Sequence, residues 1–591
     1  MKKFFPRLSR KILLLISLLF LGFFSLFFLK DRLFPSWDTR FERFTNALFR
    51  EELSANTLNL HYTLAYPEKY HIKDYDISFG NMNPSKLQEN FTSIKTLKKE
   101  LEEYPISKLS PENQILYDIL RLHLSTELSC KDCYMLQEPL GPNLGVQAQL
   151  PVLLAEYTFR TPTDVKDYLS LLSSLPDYFS EILSFEKEKS NQGLFMSNTS
   201  ADRVIQQCRE FCKNQNSHYL SKTFQERITE LQNKKLITQK QADSYIKTQK
   251  KILKKCIFPA YQTLAEELEK LKGTGKNENG LAFLPNGKNY YLYLVKSSTG
   301  DYRSIKEIQQ TLYRQLFSDF EEIQKLVQKD PDIFIKASQL PQTSSYSPEQ
   351  MLDYLNRVMT DDFPSLTVED YEVKYVPESM ESFSSPAFYL TPPVDTLTPN
   401  TIYINQSSTV SSTELFTTLA HEGFPGHLYQ TVSFGKQDCP PARHLLGCSG
   451  YTEGWATYVE DMSYRYACDF LKTDPEVMEF LRLNRSITLC LYSILDTGIH
   501  YTGWNFATVQ KLLEGFGITD ASVCQEIFQY IVENPANYLK YYLGFLNFQA
   551  LKNSVQEIQS NAFHLKAFHQ NLLEIGPAPF PVVKKYLLMK Y

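Results

Sequence analysis

The chain lacks a strong net charge, a basic tract beyond its N-terminus, internal repeats and low-complexity segments. Its formal net charge is −5 over 591 residues. Proteins that bind nucleic acid usually neutralise its phosphates with lysine and arginine, so this charge balance argues against nucleic acid as a partner. With 43% hydrophobic and 22% charged residues, the composition is that of a globular protein, and the length predicts two lobes or domains.

Cysteine is also scarce, with ten in the whole chain. Cys130 and Cys133 form a Cys-x-x-Cys pair, but no second such pair exists and no thioredoxin-like pattern surrounds it. A small-loop disulfide or two free thiols are therefore expected there. Cys439 and Cys448 bracket a proline-containing loop, where a disulfide would restrain the chain between two candidate metal segments.

One long apolar run is present, close to the N-terminus. Residues 12–29 carry no charge and follow a basic segment at 1–11. The run is at the lower end of the length that spans a bilayer, and no small-x-small cleavage site follows it. We predict a cytoplasmic segment at 1–11, a transmembrane signal anchor at 12–29, a linker at 30–44 and an extracytoplasmic catalytic domain at 45–591. A cleaved signal peptide, which would make the protein secreted, is the alternative.

The rest of the chain follows a mainly helical pattern, so the expected fold class is mainly α. A glycine-rich stretch places the lobe boundary near residues 273–290. Three short candidate strands, separated by proline-containing turns, predict a small β-sheet; they are Tyr371 to Val376, Ala387 to Leu390 and Thr401 to Asn405. Such a sheet either offers an edge to an extended peptide or is merely structural.

The strongest chemical signal comes directly after these strands, in the segment His421-Glu422-Gly423-Phe424-Pro425-Gly426-His427. Two imidazoles and a more distant carboxylate hold Zn²⁺ with one position open, and a glutamate beside the first histidine is suited to accept a proton from water. Glu453 supplies the carboxylate. The sequence therefore predicts a zinc site formed by His421, His427 and Glu453, with Glu422 as general base.

The spacing of the two histidines departs from the plain helical motif, in which they are four residues apart. Six residues on a straight helix would turn His427 about 120° away from His421. Pro425 and Gly426 permit an excursion that returns His427 to the ligand position. The alternative is that Pro-Gly ends the helix and His427 is not a ligand. Glu460, seven residues after Glu453, is expected either to support a ligand or to lie on a solvated face.

Two further residues are candidates for stabilising the oxyanion that forms when water attacks a carbonyl. His or Tyr commonly supplies the hydrogen-bond donor in such sites. His500, near the end of a predicted helix, and Tyr541 are the candidates here. For each, the alternative is a structural role: His500 as a helix-end histidine and Tyr541 as a buried core tyrosine.

The motifs, taken in order, resemble the bacterial proteins grouped as domain-of-unknown-function family 885. The matching segments are His421 to His427, Glu453 to Ala456, Asp496 to Trp504, Pro535 to Gly544 and Phe568 to Gly576. That family is similar to mostly helical zinc peptidases such as angiotensin-converting enzyme and the thermostable carboxypeptidases. The resemblance implies a large two-lobed, metallopeptidase-like helical fold with the small sheet beside the active-site helix.

We therefore expect a membrane-anchored zinc metallopeptidase that acts on peptides outside the cytoplasm. Two alternatives stay open. One keeps the metal site and changes the substrate to another amide or an ester. The other is a tethered binding protein without turnover, although such a protein has no need of a base at Glu422.

Overall fold

A computed structural model of the chain describes residues 35–341, 346–368, 370–376, 381, 385–407 and 410–591. The fold is mainly α-helical with one small sheet, as the sequence predicts. The expected anchor at 12–29 lies outside the described residues. None of the helices in the described ranges combines the length and apolar character that a bilayer crossing requires.

Between residues 35 and 272, the described part of the first half, the chain forms helices joined by turns and loops, without a strand. In chain order its α-helices are α1 (Trp37–Ser54), α2 (Thr57–Thr63), α3 (Pro84–Glu102), α4 (Pro111–Ser129), α5 (Val146–Glu156), α6 (Pro162–Asn191), α7 (Asn198–Phe211), α8 (Tyr219–Asn233), α9 (Gln239–Ile252) and α10 (Phe258–Leu271). The linker prediction at 30–44 is wrong from residue 37 onwards. Ser36 caps α1 through its side chain, and Phe41 and Phe44 are buried, so this segment belongs to the packed fold.

The second part carries the sheet and the candidate site. Its helices are α11 (Gly287–Leu294), α12 (Ile305–Lys329), α13 (Ile333–Ser338), α14 (Pro348–Val358), α15 (Ser412–Glu422), α16 (His427–Gly435), α17 (Ser449–Leu471), α18 (Pro475–Thr497), α19 (Phe506–Gly515), α20 (Ala521–Glu533), α21 (Asn537–Gln559), α22 (Leu565–Ile575) and α23 (Phe580–Leu588). Ser347 and Ser411 cap α14 and α15 through their side chains, which fits the start signals in the sequence.

Three strands form the sheet in the order β1-β3-β2: β1 (Tyr371–Tyr375), β2 (Ala387–Leu390) and β3 (Asn400–Ile404). β1 runs parallel to β3 in the register Tyr371 with Asn400. β2 runs antiparallel to β3, with Tyr389 opposite Ile402. β3 is buried along its whole length, whereas β2 forms one edge of the sheet beside α15.

The buried apolar side chains fall into separate clusters. One cluster consists of residues between Leu58 and Leu268. In the largest cluster, every buried member except Ile119 lies between Tyr291 and Leu587. The expected lobe boundary near residues 273–290 falls between these two clusters in the chain. The candidate site lies in the largest cluster, where α17 packs along α15, α18 and α21.

Candidate metal centre

The metal motif interrupts its helix between the two histidines. α15 ends at Glu422, and α16 begins at His427. Gly426 is required at the break, because a Cβ added there would lie 1.8 Å from the carbonyl oxygen of His421. The chain therefore makes an excursion between Glu422 and His427, as the spacing requires. The helix does end before Pro425, as the alternative expected, and the position of His427 decides between the two interpretations.

This break brings the three predicted ligands together. His421, His427 and Glu453 each offer one ligand atom, and these atoms all lie within 4.8 Å of one another. Glu453 Oε2 is 3.8 Å from His421 Nε2 and 3.4 Å from His427 Nε2. Tetrahedral zinc with ligands at about 2.0–2.1 Å holds neighbouring ligand atoms about 3.3 Å apart. Two imidazoles and a carboxylate at these separations fit such a cation.

Glu460 fixes the orientation of the first histidine. Its Oε2 lies 2.9 Å from His421 Nδ1, and its Oε1 accepts a hydrogen bond of 2.9 Å from Arg485 Nε. When Nδ1 donates to this carboxylate, Nε2 is the nitrogen left to bind a metal. Glu460 therefore supports the predicted ligand His421, and its solvated-face alternative is wrong because the side chain is buried.

The charges around His421 favour a cation. Burial alone would lower the pKa of His421, but hydrogen bonds to Glu453 and Glu460 outweigh it and raise the pKa to about 10. Burial would raise the pKa of Glu453, yet its hydrogen bonds to His421 and His427 hold that pKa well below its usual range. A divalent cation in place of the protons would satisfy the same negative charge.

Two glycines let the helices that carry the site approach closely. A Cβ added to Gly454 would lie 2.5 Å from the backbone of Gly544, so α17 and α21 cross with their backbones in contact. This crossing brings Glu453 on α17 near Tyr541 on α21. The ring of Tyr541 lies 6.4 Å from that of His421, centroid to centroid. The motif glycines therefore serve packing, which sequence reasoning did not assign to them.

Glu422 is held by the edge strand of the sheet. The backbone N–H of Tyr389 on β2 donates a 2.9 Å hydrogen bond to Glu422 Oε2, which leaves Oε1 available to take a proton.

Burial, together with the charges of Glu453 and Glu422, raises the pKa of Tyr541 well above its usual value. The Tyr541 hydroxyl therefore stays protonated and able to donate a hydrogen bond.

The structure does not bring His500 to this group. It lies in a π-helical turn, Gly498–Thr502, and is fully buried. Its Nδ1 accepts a hydrogen bond from Leu281 N–H, and its Nε2 lies 2.8 Å from the carbonyl oxygen of Ile531. Burial lowers the pKa of His500 to about 4, so the ring is neutral. Both nitrogens are thus used by the backbone, which fits the structural alternative for this residue.

The cysteines near the site are not paired in the structure. All ten are free thiols, including Cys130 and Cys133. Cys439 Sγ lies 3.7 Å from His444 Nε2, whereas Cys448 packs against Gly300. The suggested disulfide between Cys439 and Cys448 is therefore absent here, because the two side chains have different neighbours.

Comparison with known proteins assigns the chain to a family. Residues 69–587 match the family described as "Bacterial protein of unknown function (DUF885)". The chain belongs to this family. The matched range contains every residue of the candidate metal centre, so the centre is part of the DUF885 region. No curated protein has a sequence that matches this chain.

Two solved structures have a similar fold. One, described as a putative lipoprotein from Colwellia psychrerythraea, has a TM-score of 0.80 at 18% identity and covers 94% of this chain and 99% of its own. The other, described as a putative lipoprotein of unknown function from Shewanella oneidensis, has a TM-score of 0.60 at 17% identity over 93% and 99%. At these identities the likeness concerns the fold alone.

These findings correct one expectation and leave another untested. Both solved structures are described as putative lipoproteins, and no helix in the described residues is suited to cross a bilayer. We therefore withdraw the transmembrane signal anchor. The family description names no activity, so the expected similarity to angiotensin-converting enzyme and the thermostable carboxypeptidases stays a prediction.

Proposed function

We propose that this protein is a zinc-dependent peptidase. The observation that carries the proposal is the convergence of His421, His427 and Glu453 next to a glutamate, Glu422, and a protonated tyrosine, Tyr541. A binding protein would need the three ligands but neither of the other two groups. The ligand set is a type that zinc occupies in hydrolases, two histidines and a glutamate.

His421 and His427 would hold the zinc through Nε2, and Glu453 through a carboxylate oxygen. When bound, zinc supplies Lewis-acid polarisation of a carbonyl and of water. Glu422 Oε1 takes the proton from the attacking water and delivers it to the leaving amine. The Tyr541 hydroxyl donates a hydrogen bond to the oxygen that gains negative charge. Glu460 keeps His421 in orientation.

The position of β2 favours a peptide over another amide or an ester. This strand is an edge of the sheet, and its Tyr389 N–H contacts the base directly. An extended peptide that adds to the β2 edge would lie alongside Glu422 and the metal ligands. The small sheet then has a role in substrate binding beyond structure. We also propose that the protein works outside the cytoplasm in association with a membrane.

The test combines metal content with peptide turnover. We expect the purified protein to bind one Zn²⁺ by plasma emission, and His421→Ala and Glu453→Ala to lose most of it. A mixed peptide library, analysed by mass spectrometry, should be cleaved by the zinc-loaded protein and by neither variant. Equal zinc in all three proteins would refute the site. Stoichiometric zinc without cleavage of any peptide, amide or ester would favour the binding-protein alternative.

A further inference from the structure

A row of exposed lysines covers one side of α9 and the turn before it. Eight lysines lie between residues 234 and 255, and all eight are exposed. We call this group the lysine face; its members are Lys234, Lys235, Lys240, Lys247, Lys250, Lys251, Lys254 and Lys255. Asp243 is the one acidic residue in the segment. Five of the nine residues 247–255 are lysines, so the expectation that no basic tract lies beyond the N-terminus is wrong for this segment.

Helical spacing places six of these lysines on the same side. α9 continues through a π-helical turn, Leu253–Ile257, into α10. The central lysines are spaced by seven, four and three residues, a pattern that repeats along one face of a helix. They are Lys240, Lys247, Lys251 and Lys254, and Lys250 and Lys255 flank them. The opposite side of the helix is buried through Ala242 and Leu253, so the row faces solvent along about 22 Å of helix axis.

The lysine face lacks counter-ions within the protein. None of its ammonium groups forms an ion pair or a hydrogen bond with a residue that the structure describes. Asp243 accepts a 2.9 Å hydrogen bond from Gln239 instead. On α10 the arrangement differs, because Lys270 pairs with Glu267. Like charges one turn apart destabilise a helix, so an anionic partner would relieve the repulsion along α9.

An exposed leucine adjoins the lysine face at the turn that leads into α9. Leu236 is 46% exposed and directly follows Lys234 and Lys235. Lys235 has a φ of 59°, in the left-handed region, and the chain turns there. A leucine among lysines suits the boundary between lipid headgroups and acyl chains. The phosphate backbone of a nucleic acid offers no such apolar layer.

We propose that the lysine face binds the anionic surface of a phospholipid bilayer. The ammonium groups lie at the lipid phosphates, and Leu236 enters the boundary beneath the headgroups. A straight row of charges on the outside of one helix matches a flat surface, so α9 lies along the bilayer. This inference rests on the membrane association proposed above and does not depend on peptidase activity.

The test measures how strongly the protein prefers anionic vesicles. Full-length protein is sedimented with vesicles of phosphatidylcholine alone or of phosphatidylcholine and phosphatidylglycerol in equal parts. The test variant combines Lys247→Gln, Lys251→Gln and Lys254→Gln. Each lysine near an anionic bilayer strengthens binding by about fivefold, so we expect the preference for anionic vesicles to fall by about 100-fold.

A matched variant controls for the change in net charge. It combines Lys86→Gln, Lys95→Gln and Lys99→Gln on α3, where exposed lysines alternate with glutamates such as Glu89 and Glu100. This variant should keep the wild-type preference. Residues 1–34 are the same in all three proteins, so their own contribution to vesicle binding cancels. Equal thermal unfolding temperatures of the three proteins check that each variant is folded.

A second measurement locates the contact on the bound protein. Lysines are acetylated with a water-soluble reagent and analysed by mass spectrometry. The lysine face should react at least about fivefold more slowly on anionic than on neutral vesicles, as expected for groups held at the lipid phosphates. The lysines of α3 should react equally on both.

Three results would overturn the proposal. They are an unchanged vesicle preference in the test variant, equal acetylation of the lysine face on both kinds of vesicle, and binding of a DNA duplex that the test variant alone loses while vesicle binding stays the same. The two proposals fail separately. Peptide cleavage without a vesicle preference refutes only the lysine face, and a vesicle preference without cleavage refutes only the peptidase.

Discussion

The indole N–H of Trp455 donates a hydrogen bond of 3.0 Å to the carbonyl oxygen of Pro425. Trp455 follows the predicted ligand Glu453 by two residues, and Pro425 precedes the predicted ligand His427 by two. This contact therefore joins the two segments of the candidate metal centre next to their predicted ligands. Trp455 is fully buried, so the carbonyl of Pro425 has no water to replace the indole.

Trp455→Phe should weaken the metal centre without removing a ligand. The lost hydrogen bond leaves a buried carbonyl unpaired, and we expect the free energy of unfolding to fall by about 1–3 kcal/mol. Zinc affinity, measured by competition with a fluorescent chelator, should also fall because the segment before His427 is no longer held. Trp37→Phe on α1 is the matched control. If zinc affinity were unchanged in Trp455→Phe, the contact would serve stability only.

Replacing Glu460 should weaken zinc binding, and the loss should be smaller when the new side chain keeps a hydrogen-bond acceptor for His421. Glu460→Ala removes the acceptor for His421 Nδ1, and loss of such a partner typically costs about 10- to 100-fold in metal affinity. Glu460→Gln retains an acceptor oxygen and should recover part of that loss. Arg485→Ala, which frees Glu460 on its other side, should have an intermediate effect. Equal zinc dissociation constants for Glu460→Ala and the wild type would contradict the role.

Variants of Tyr541 and His500 should have different effects: the first on kcat and the second on thermal stability. Tyr541→Phe removes one donor to the developing oxyanion, which typically lowers kcat by about 10²- to 10³-fold. Zinc content and KM should change little. His500→Asn should instead lower the unfolding temperature, because the histidine bridges Leu281 and Ile531. A folded His500→Asn protein that lost kcat as strongly as Tyr541→Phe would restore the catalytic role of His500.

The sequence predicted the parts of the fold that depend on local chemistry. The three strands were placed within one residue at each end, because short apolar and aromatic runs are bounded there by prolines and polar residues. The helix break before His427 followed from Pro425 and Gly426 alone. These features need no knowledge of distant residues.

Contacts between distant residues could not be predicted in the same way. Arg485 meets Glu460 from another helix, and no motif marks it. His500 looked available for chemistry because its partner Leu281 is 219 residues away. Gly454 and Gly544 look like ordinary motif glycines until α17 and α21 cross. Each of these required the tertiary fold.

Stability should depend on pH through Asp496, a buried carboxylate bonded to Tyr291 and to the backbone of Ala536. Burial raises its pKa to about 7, although both hydrogen bonds oppose the shift. An unfolded aspartate has a pKa of about 3.9, so between these values the folded state binds more protons and stability falls as pH rises. Relative to Asp496→Asn, the wild type should lose up to about 4 kcal/mol between pH 4 and pH 8 in urea titrations.

Comparing the wild type with Asp496→Asn isolates the titration of the Asp496 carboxyl, since the two proteins share all other titratable groups. Asp332→Asn, an exposed aspartate before α13, is the control and should follow the wild type at every pH. A stability difference between wild type and Asp496→Asn that stays constant with pH would show that the carboxylate does not titrate in this range.

Glu422→Gln tests the general base directly. The amide keeps the shape of the side chain and an oxygen for the Tyr389 N–H, but it does not carry a proton from water to the leaving amine. Positioned acid-base groups typically contribute about 10²- to 10⁴-fold, so peptide turnover should fall by that factor at unchanged zinc content. Glu414→Gln, an exposed glutamate earlier on α15, should keep wild-type turnover. Because both proteins would hold the same zinc, a Glu422→Gln variant with most of the wild-type rate would show that another group moves the proton.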